Sequence, residues 1–433
     1  MYIWSGFQPH CMLNTLTRLF TPKNFALFFL ALILVGLFTT QVARALLSIA
    51  IGGFFLSSLF SLKNWSFKSS KTNLSLLVFC GVYALHLIHY FSTDEVNLGH
   101  YWSMVFMKLP MVLLPISFII LPGLSKKEFQ VLLYIFFIVT TVTALGAVVN
   151  YAFNFEQINF LYLTSKALPV AANHVRYSLM LATAICAGAY LFSTKFSLGV
   201  WKHERKLILA FSVFLFLFAH LLAVRSGLVA LYATCFIAGV VSALTSKRKK
   251  LAIILLSVLI ILPLVGAITV PTIRNKVENT LSDLSHLDNV YSANYHSITA
   301  RFLSYKVAWE LVESKPVFGV GIGNLLREVE LQYIRNYQII KQDKWLIPHN
   351  QYLLYLTAFG IVGTIAFVFF FYFPLFHLHN WKQDIFFSFQ YLILTISFLV
   401  EGTLETQLGL SYAVIFILMS LSYLKWKRAN ELS

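Results

Sequence analysis

The sequence predicts an all-α membrane protein of about twelve transmembrane helices, with one large extracytoplasmic helical loop between spans nine and ten. Three observations carry that expectation. The 433 residues are 58% hydrophobic and 12% charged, with mean hydropathy +0.75, a balance no water-solvated surface allows. The apolar residues, 41 Phe and 21 Tyr among them, form long unbroken runs, which excludes disorder, collagen and coiled coil. The 33 Lys and Arg outnumber the 17 Asp and Glu, but they fall in short clusters between those runs. That is the charge pattern of membrane topology, not of a nucleic-acid partner.

A hydrocarbon core about 30 Å thick takes about 20 residues of helix. Runs near that length lie at 24–42, 45–62, 72–91, 104–122, 129–151, 170–193, 207–223, 226–245, 251–270, 349–376, 385–401 and 407–424. Arg44 and Arg225 are the only obvious breaks between the closest pairs. Lys and Arg near span ends are retained in the cytoplasm. By that rule Lys23, Lys63, Lys126, Lys202 and Lys247 mark the inner side, and both termini are cytoplasmic. Asp94, Glu95, Glu401, Glu405 and the segment 271–348 lie outside. The chain thus divides into spans one to nine (1–270), a loop domain (271–348), and spans ten to twelve with a cytoplasmic tail (349–433). Four scattered cysteines, three of them inside apolar runs, predict free thiols and neither a disulfide framework nor a metal site. No cleavable signal peptide precedes the first run, which reads as an uncleaved span.

The outer segment carries nine Lys or Arg and eight Asp or Glu, a soluble-domain composition. Apolar residues at Phe302, Leu303, Val307, Leu311 and Val312 predict an amphipathic helix over 299–314, stopped by Pro316. A second helix is expected over 325–340. Between them Gly319, Gly321 and Gly323 alternate, either as a tight turn or as an anion-binding turn. The segment ends in Pro348-His349-Asn350, at the entry to the tenth span. His349 is either an interfacial histidine at a helix end or a base taking a proton from a sugar hydroxyl, with Asn350 orienting the ring or the substrate.

Ionisable groups within the bilayer cost about 2.5 to 3.5 kcal/mol each, so each calls for a partner or a polar cavity. Arg176, Arg225 and Arg301 all fall on the outer side, against the positive-inside bias. Guanidinium forks suit a diphosphate; the alternatives are contacts to lipid headgroups or ion pairs with Glu401 or Glu405. Either glutamate is a candidate for orienting His349 or an arginine; the alternative for both is a solvated short turn. His86 and His89 read as packing or polar-network residues.

The order of these parts resembles the O-antigen ligase family, which shares a signature with O-antigen polymerases and bacterial protein O-oligosaccharyltransferases. The matching residues are Arg301 to Trp309, Pro316 to Gly323, Pro348-His349-Asn350 with Tyr352, then Gly360 and Gly363, with Arg225-Ser226-Gly227 upstream. The resemblance implies a GT-C-like membrane glycosyltransferase in the bacterial inner membrane, working on the periplasmic face. Its donor would be a glycan on undecaprenyl diphosphate and its acceptor the lipid A core, with membrane lipid around it. A polymerase acting on another lipid-linked glycan and a protein O-glycosylating enzyme are the alternatives within the family; a non-catalytic lipid-oligosaccharide transporter lies outside it. The resemblance makes His349 the catalytic base and Arg225, Arg301 and Arg176 the diphosphate contacts, with Glu401 or Glu405 in support. Single displacement with inversion follows, needing neither metal nor cofactor if arginines absorb the developing charge. A lateral groove lined by Phe and Leu is expected for the prenyl tail.

Overall fold

A computed structural model of the protein describes residues 21–62, 71–163, 168–245 and 271–431, with isolated positions between 257 and 268. Among the described residues all regular structure is helical. In chain order the helices are α1 (Pro22–Gly36), α2 (Arg44–Leu59), α3 (Lys71–Phe79), α4 (Gly81–Ile88), α5 (Leu98–Met107), α6 (Pro110–Ile120), α7 (Lys126–Phe153), α8 (Phe155–Leu163) and α9 (His174–Ser193). Then follow α10 (Glu204–Leu222), α11 (Arg225–Thr245), α12 (Pro271–Ser285), α13 (Ser297–Ser314), α14 (Leu325–Asn336), α15 (Gln351–Phe376), α16 (Asn380–Gln383), α17 (Ile385–Val400) and α18 (Gln407–Glu431).

Among the described residues, seven helical stretches are long and apolar enough to cross a membrane: Lys71–Ser92, Glu95–Ile120, Lys126–Phe153, His174–Ser193, Glu204–Leu222, Gln351–Gln383 and Gln407–Glu431. Shorter apolar helices occupy four more of the expected spans, at Pro22–Gly36, Arg44–Leu59, Arg225–Val241 and Ile385–Val400. The ninth expected span, 251–270, falls outside the described residues apart from isolated positions.

Local chemistry sets the helix ends. Thr21 caps α1, with Pro22 in its first turn where the missing N–H costs nothing. Ser125 and Glu128 form a reciprocal capping box at the start of α7. Lys425 donates from Nζ to the carbonyls of Phe118, Ile119 and Leu121, which have no helical partner at the end of α6.

The last helix is the centre of the molecule. Every residue of α18 from Leu408 to Leu424 is buried, against α6, α17, α3 and α7. Such a helix, apolar all round, belongs inside a bundle. On the periphery Phe28, Ile49, Phe106, Ile365 and Phe369 stay exposed, as lipid-facing side chains do.

Two expectations need correction. The second loop helix ends at Asn336 rather than 340, because Glu310 of α13 draws in its last turn. Its carboxylate accepts from Gln332 at 2.7 Å, Asn336 at 3.0 Å and the Tyr337 hydroxyl at 2.5 Å, and the chain turns there. The helix Pro271–Ser285, within the segment read only as loop, was not anticipated.

The tenth span is broken as well. At Gly360 the backbone of α15 takes φ +64°, a left-handed value that opens the helical ladder. The loop after α13 fills the gap. Val320 and Gly321 donate their N–H groups to the carbonyls of Thr357 and Ala358, at 2.9 Å each, while the N–H of Ile361 reaches Pro316 at 2.9 Å. Broken backbone inside a bundle persists only where its polar groups find such partners. Asn324 closes the clasp on the far side, accepting from the Asp94 N–H and donating to the Ser92 carbonyl, both at 3.0 Å.

Candidate active site

Glu401 is the residue around which the site is organised. It follows α17 directly, with its N–H still bonded to the Ser397 carbonyl at 2.8 Å, and its side chain is only 2% exposed. A carboxylate so enclosed needs compensating donors. Arg301 supplies one from Nη2 to Oε1 at 2.8 Å, and His349 places Nδ1 3.2 Å from Oε2. Arg176 Nη1 lies 3.9 Å from Oε2, while its Nη2 donates to the Gly402 carbonyl at 3.1 Å. Burial works to raise the Glu401 carboxyl, but the His349 hydrogen bond and the two guanidinium charges prevail, leaving it below the usual carboxylate range. An ionised carboxylate only accepts, so Nδ1 carries the proton and Nε2 of His349 is left as the basic nitrogen.

Three elements fix this arrangement. His349 lies just ahead of Asn350, the cap of α15, and its carbonyl accepts from the Tyr305 hydroxyl on α13 at 2.9 Å. Arg301 lies one turn into α13, one turn before Tyr305 on the same helix side. Arg176 lies in the first turn of α9, whose N-cap is Asn173.

Arg225 opens α11 and lies 3.9 Å from Asp283 of α12. Asp283 also accepts from the Ile298 N–H at 3.2 Å and holds His296 Nδ1 at 2.8 Å, tying the start of α13 to α12. Arg225 and Arg301 line one cavity of about 420 Å³, with Asp283 and Tyr305 on its wall. Its apolar lining is Val175, Ala223, Val224, Val229, Phe302 and Val400 among others.

The structure therefore brings His349, Arg301, Arg176 and Glu401 together, with Arg225 across the adjoining cavity. Other expected residues are engaged elsewhere. Glu405 does not reach His349; it pairs with Lys108 at 2.9 Å and accepts from Gln351 at 2.7 Å. Burial favours protonation of Glu405, and the Lys108 charge outweighs it, so this carboxyl also lies below its usual value. Asn350 caps α15 through its Oδ1 to the Leu353 N–H at 3.0 Å and donates to the Leu399 carbonyl at 3.1 Å, which occupies the amide expected for ring or substrate. Gly319, Gly321 and Gly323, expected beside the substrate, line the clasp. A Cβ on Gly319 would lie 2.5 Å from the Ala358 backbone, and one on Gly323 2.5 Å from Thr93.

Lys108, Gln351, Tyr305 and Asp283 escaped the sequence reading. Lys108 carried a usable signal, being a cation inside the expected span 104–122; Asp283 was one acid among eight in a loop. His86 is buried beside this pair, its Nδ1 on the Val82 carbonyl at 2.9 Å, in keeping with a polar-network role. Among the described residues no group of three His, Cys, Asp or Glu side chains gathers as metal ligands. Cys80, Cys186 and Cys235 are free thiols, and Cys11 lies outside the described residues.

No curated protein matches the chain. The family model described as O-antigen ligase matches residues 209–368, a stretch that runs from α10 through Arg225, Asp283 and Arg301 to His349 and the Gly360 break. Across those residues the chain is similar to the O-antigen ligase family, whose members are glycosyltransferase-like enzymes.

Proposed function

We propose that the protein is a membrane glycosyltransferase that moves a glycan from undecaprenyl diphosphate to a hydroxyl of the lipid A core, at the periplasmic face of the bacterial inner membrane. The acceptor oxygen attacks the anomeric carbon as its proton passes to His349 Nε2. The bond from that carbon to the diphosphate oxygen breaks with its electron pair, and the configuration inverts. Arg225 and Arg301 hold the departing diphosphate through their planar donor forks, so that positive charge already faces the oxygen on which negative charge grows. Glu401 is a positioning residue: it keeps the proton on Nδ1 of His349 and fixes the ring.

The observation that carries this reading is the His349–Glu401–Arg301 constellation, with Nδ1 3.2 Å and Nη2 2.8 Å from the two oxygens of one buried carboxylate. A base and a cation are thereby set on a common support. Arg301 keeps further donors free for phosphate, being more than a third exposed.

The test is transfer by purified protein in detergent, with chelator, undecaprenyl-diphosphate glycan and three acceptors. Product on lipid A core supports the proposal; a lengthened lipid-linked glycan would make the protein a polymerase, and a modified Ser or Thr a protein glycosyltransferase. Donor binding without transfer to any of the three would favour a transporter. Full turnover by His349→Ala would remove the base assigned here.

A further inference from the structure

A second cavity, of about 840 Å³, has no role in the donor chemistry above. It lies on the other side of the first turn of α9 from the Arg225 cavity, and His174 lines both. Thr40 and Gln41 come from the turn between α1 and α2, Arg44 opens α2, and Arg176 and Thr406 line the same cavity. We propose that this cavity binds the glycan acceptor through an anionic substituent, a phosphate or carboxylate, held between Arg44 and Arg176. The proposal rests on the transferase reading and names the acceptor's chemistry.

Four observations support it. Among the described residues its lining has two guanidinium groups and no carboxylate, whereas the Arg225 cavity contains Asp283. Arg44 is exposed and makes no ion pair among the described residues, so its charge is uncompensated. Arg176 keeps its Nε buried with no hydrogen-bond partner among the described residues, while its terminal nitrogens hold Gly402 and approach Glu401. A buried guanidinium donor without a partner is costly, and an anion oxygen would satisfy it. Finally, the hydroxyls of Thr40 and Thr406 and the amide of Gln41 suit sugar hydroxyls. Arg176 thus connects the acceptor's anion to the turn that carries Glu401, and through Glu401 to His349.

The experiment measures equilibrium binding of lipid A core oligosaccharide to the full-length protein in detergent, with its phosphates intact or removed by phosphatase. The intact probe should bind wild type about tenfold tighter than the treated one, the scale of one or two partly exposed charge-assisted hydrogen bonds. Arg44→Gln should abolish that difference and leave affinity for undecaprenyl diphosphate unchanged; Arg44→Lys should restore part of it. Equal binding of the two probes to wild type overturns the proposal. So does an Arg44→Gln defect that is the same for both probes, or displacement of the intact probe by added phosphatidylglycerol, which would mark a lipid headgroup site. Charge-dependent binding without glycan transfer would instead count against the transferase reading.

Discussion

Lys108 Nζ and Glu405 Oε1 are 2.9 Å apart, and Lys108 is fully shut from solvent. Lys108 also donates to the Leu404 carbonyl at 2.6 Å, and Gln351 grips the same turn twice, accepting from the Leu404 N–H at 2.9 Å and donating to Glu405 at 2.7 Å. Gln351 is two residues from His349, and Glu405 four from Glu401. Gln351 therefore holds the turn bearing the site's carboxylate against the helix that follows its imidazole, and the buried pair ties the same turn to the junction of α5 and α6.

Removing one partner of such a pair leaves the other charge buried and alone, a loss of about 3 to 5 kcal/mol. Lys108→Met is expected to lower thermal stability in detergent by that order. Lys108→Met combined with Glu405→Gln should recover much of it, because neither charge then remains unpaired. Additive losses in the double variant would show that the two side chains are not coupled.

Glu401→Gln tests the central carboxylate through pH. The folded protein holds this carboxyl below its unfolded value, which is near 4.3, so the group contributes stability that is fully present above that pH. The contribution is lost as pH falls through the lowered folded value. The wild-type melting temperature should exceed that of E401Q at neutral pH, and the gap should close in acid below about pH 4. Turnover of E401Q should fall about a hundredfold or more, since an amide can present N–H to Nδ1 and favour the wrong tautomer. A stability gap that is constant from neutral pH to pH 3 would contradict the charged role.

Much of this was legible in the sequence for a simple reason: apolar runs and charge clusters report the bilayer directly, and eleven of the expected spans coincide with helices. Arg176 and Arg301 were visible as charges in costly places, and the structure shows Glu401 compensating both. What could not be read was pairing across distance. Glu401 and Glu405 are equivalent by spacing, and only packing against Arg301 or Lys108 tells them apart. The glycines were seen as conformationally special, but their partner, the break at Gly360, lies 41 residues beyond Gly319 and is met only in three dimensions.

That clasp makes a prediction distinct from ligand binding. Gly319 has φ +70°, and a Cβ there would approach Ala358 carbonyl atoms at 2.5 Å. Gly319→Ala should cost about 1 to 2 kcal/mol for the backbone conformation alone, and more for the contact. The melting temperature should drop while the fraction that remains folded binds undecaprenyl diphosphate with wild-type affinity. A loss of donor affinity at unchanged stability would return the glycine to the substrate site.

The two arginines of the smaller cavity should separate kinetically, because their protein partners differ. Arg225 touches Asp283 at 3.9 Å and has no contact with Glu401, whereas Arg301 bonds Glu401 at 2.8 Å. Lysine keeps the charge of either residue but replaces a planar fork by a point donor. Arg225→Lys should therefore raise donor KM about tenfold with little change in kcat, as expected for weakened ground-state and transition-state binding alike. Arg301→Lys should raise donor KM and also lower kcat, because loosening Oε1 of Glu401 frees the carboxylate that orients His349 through Oε2. Steady-state kinetics with undecaprenyl-diphosphate glycan reads both quantities. If the two substitutions gave the same ratio of effects on kcat and KM, the Arg301–Glu401 bond would have no bearing on the imidazole, and the mechanical link between cation and base would have to be abandoned.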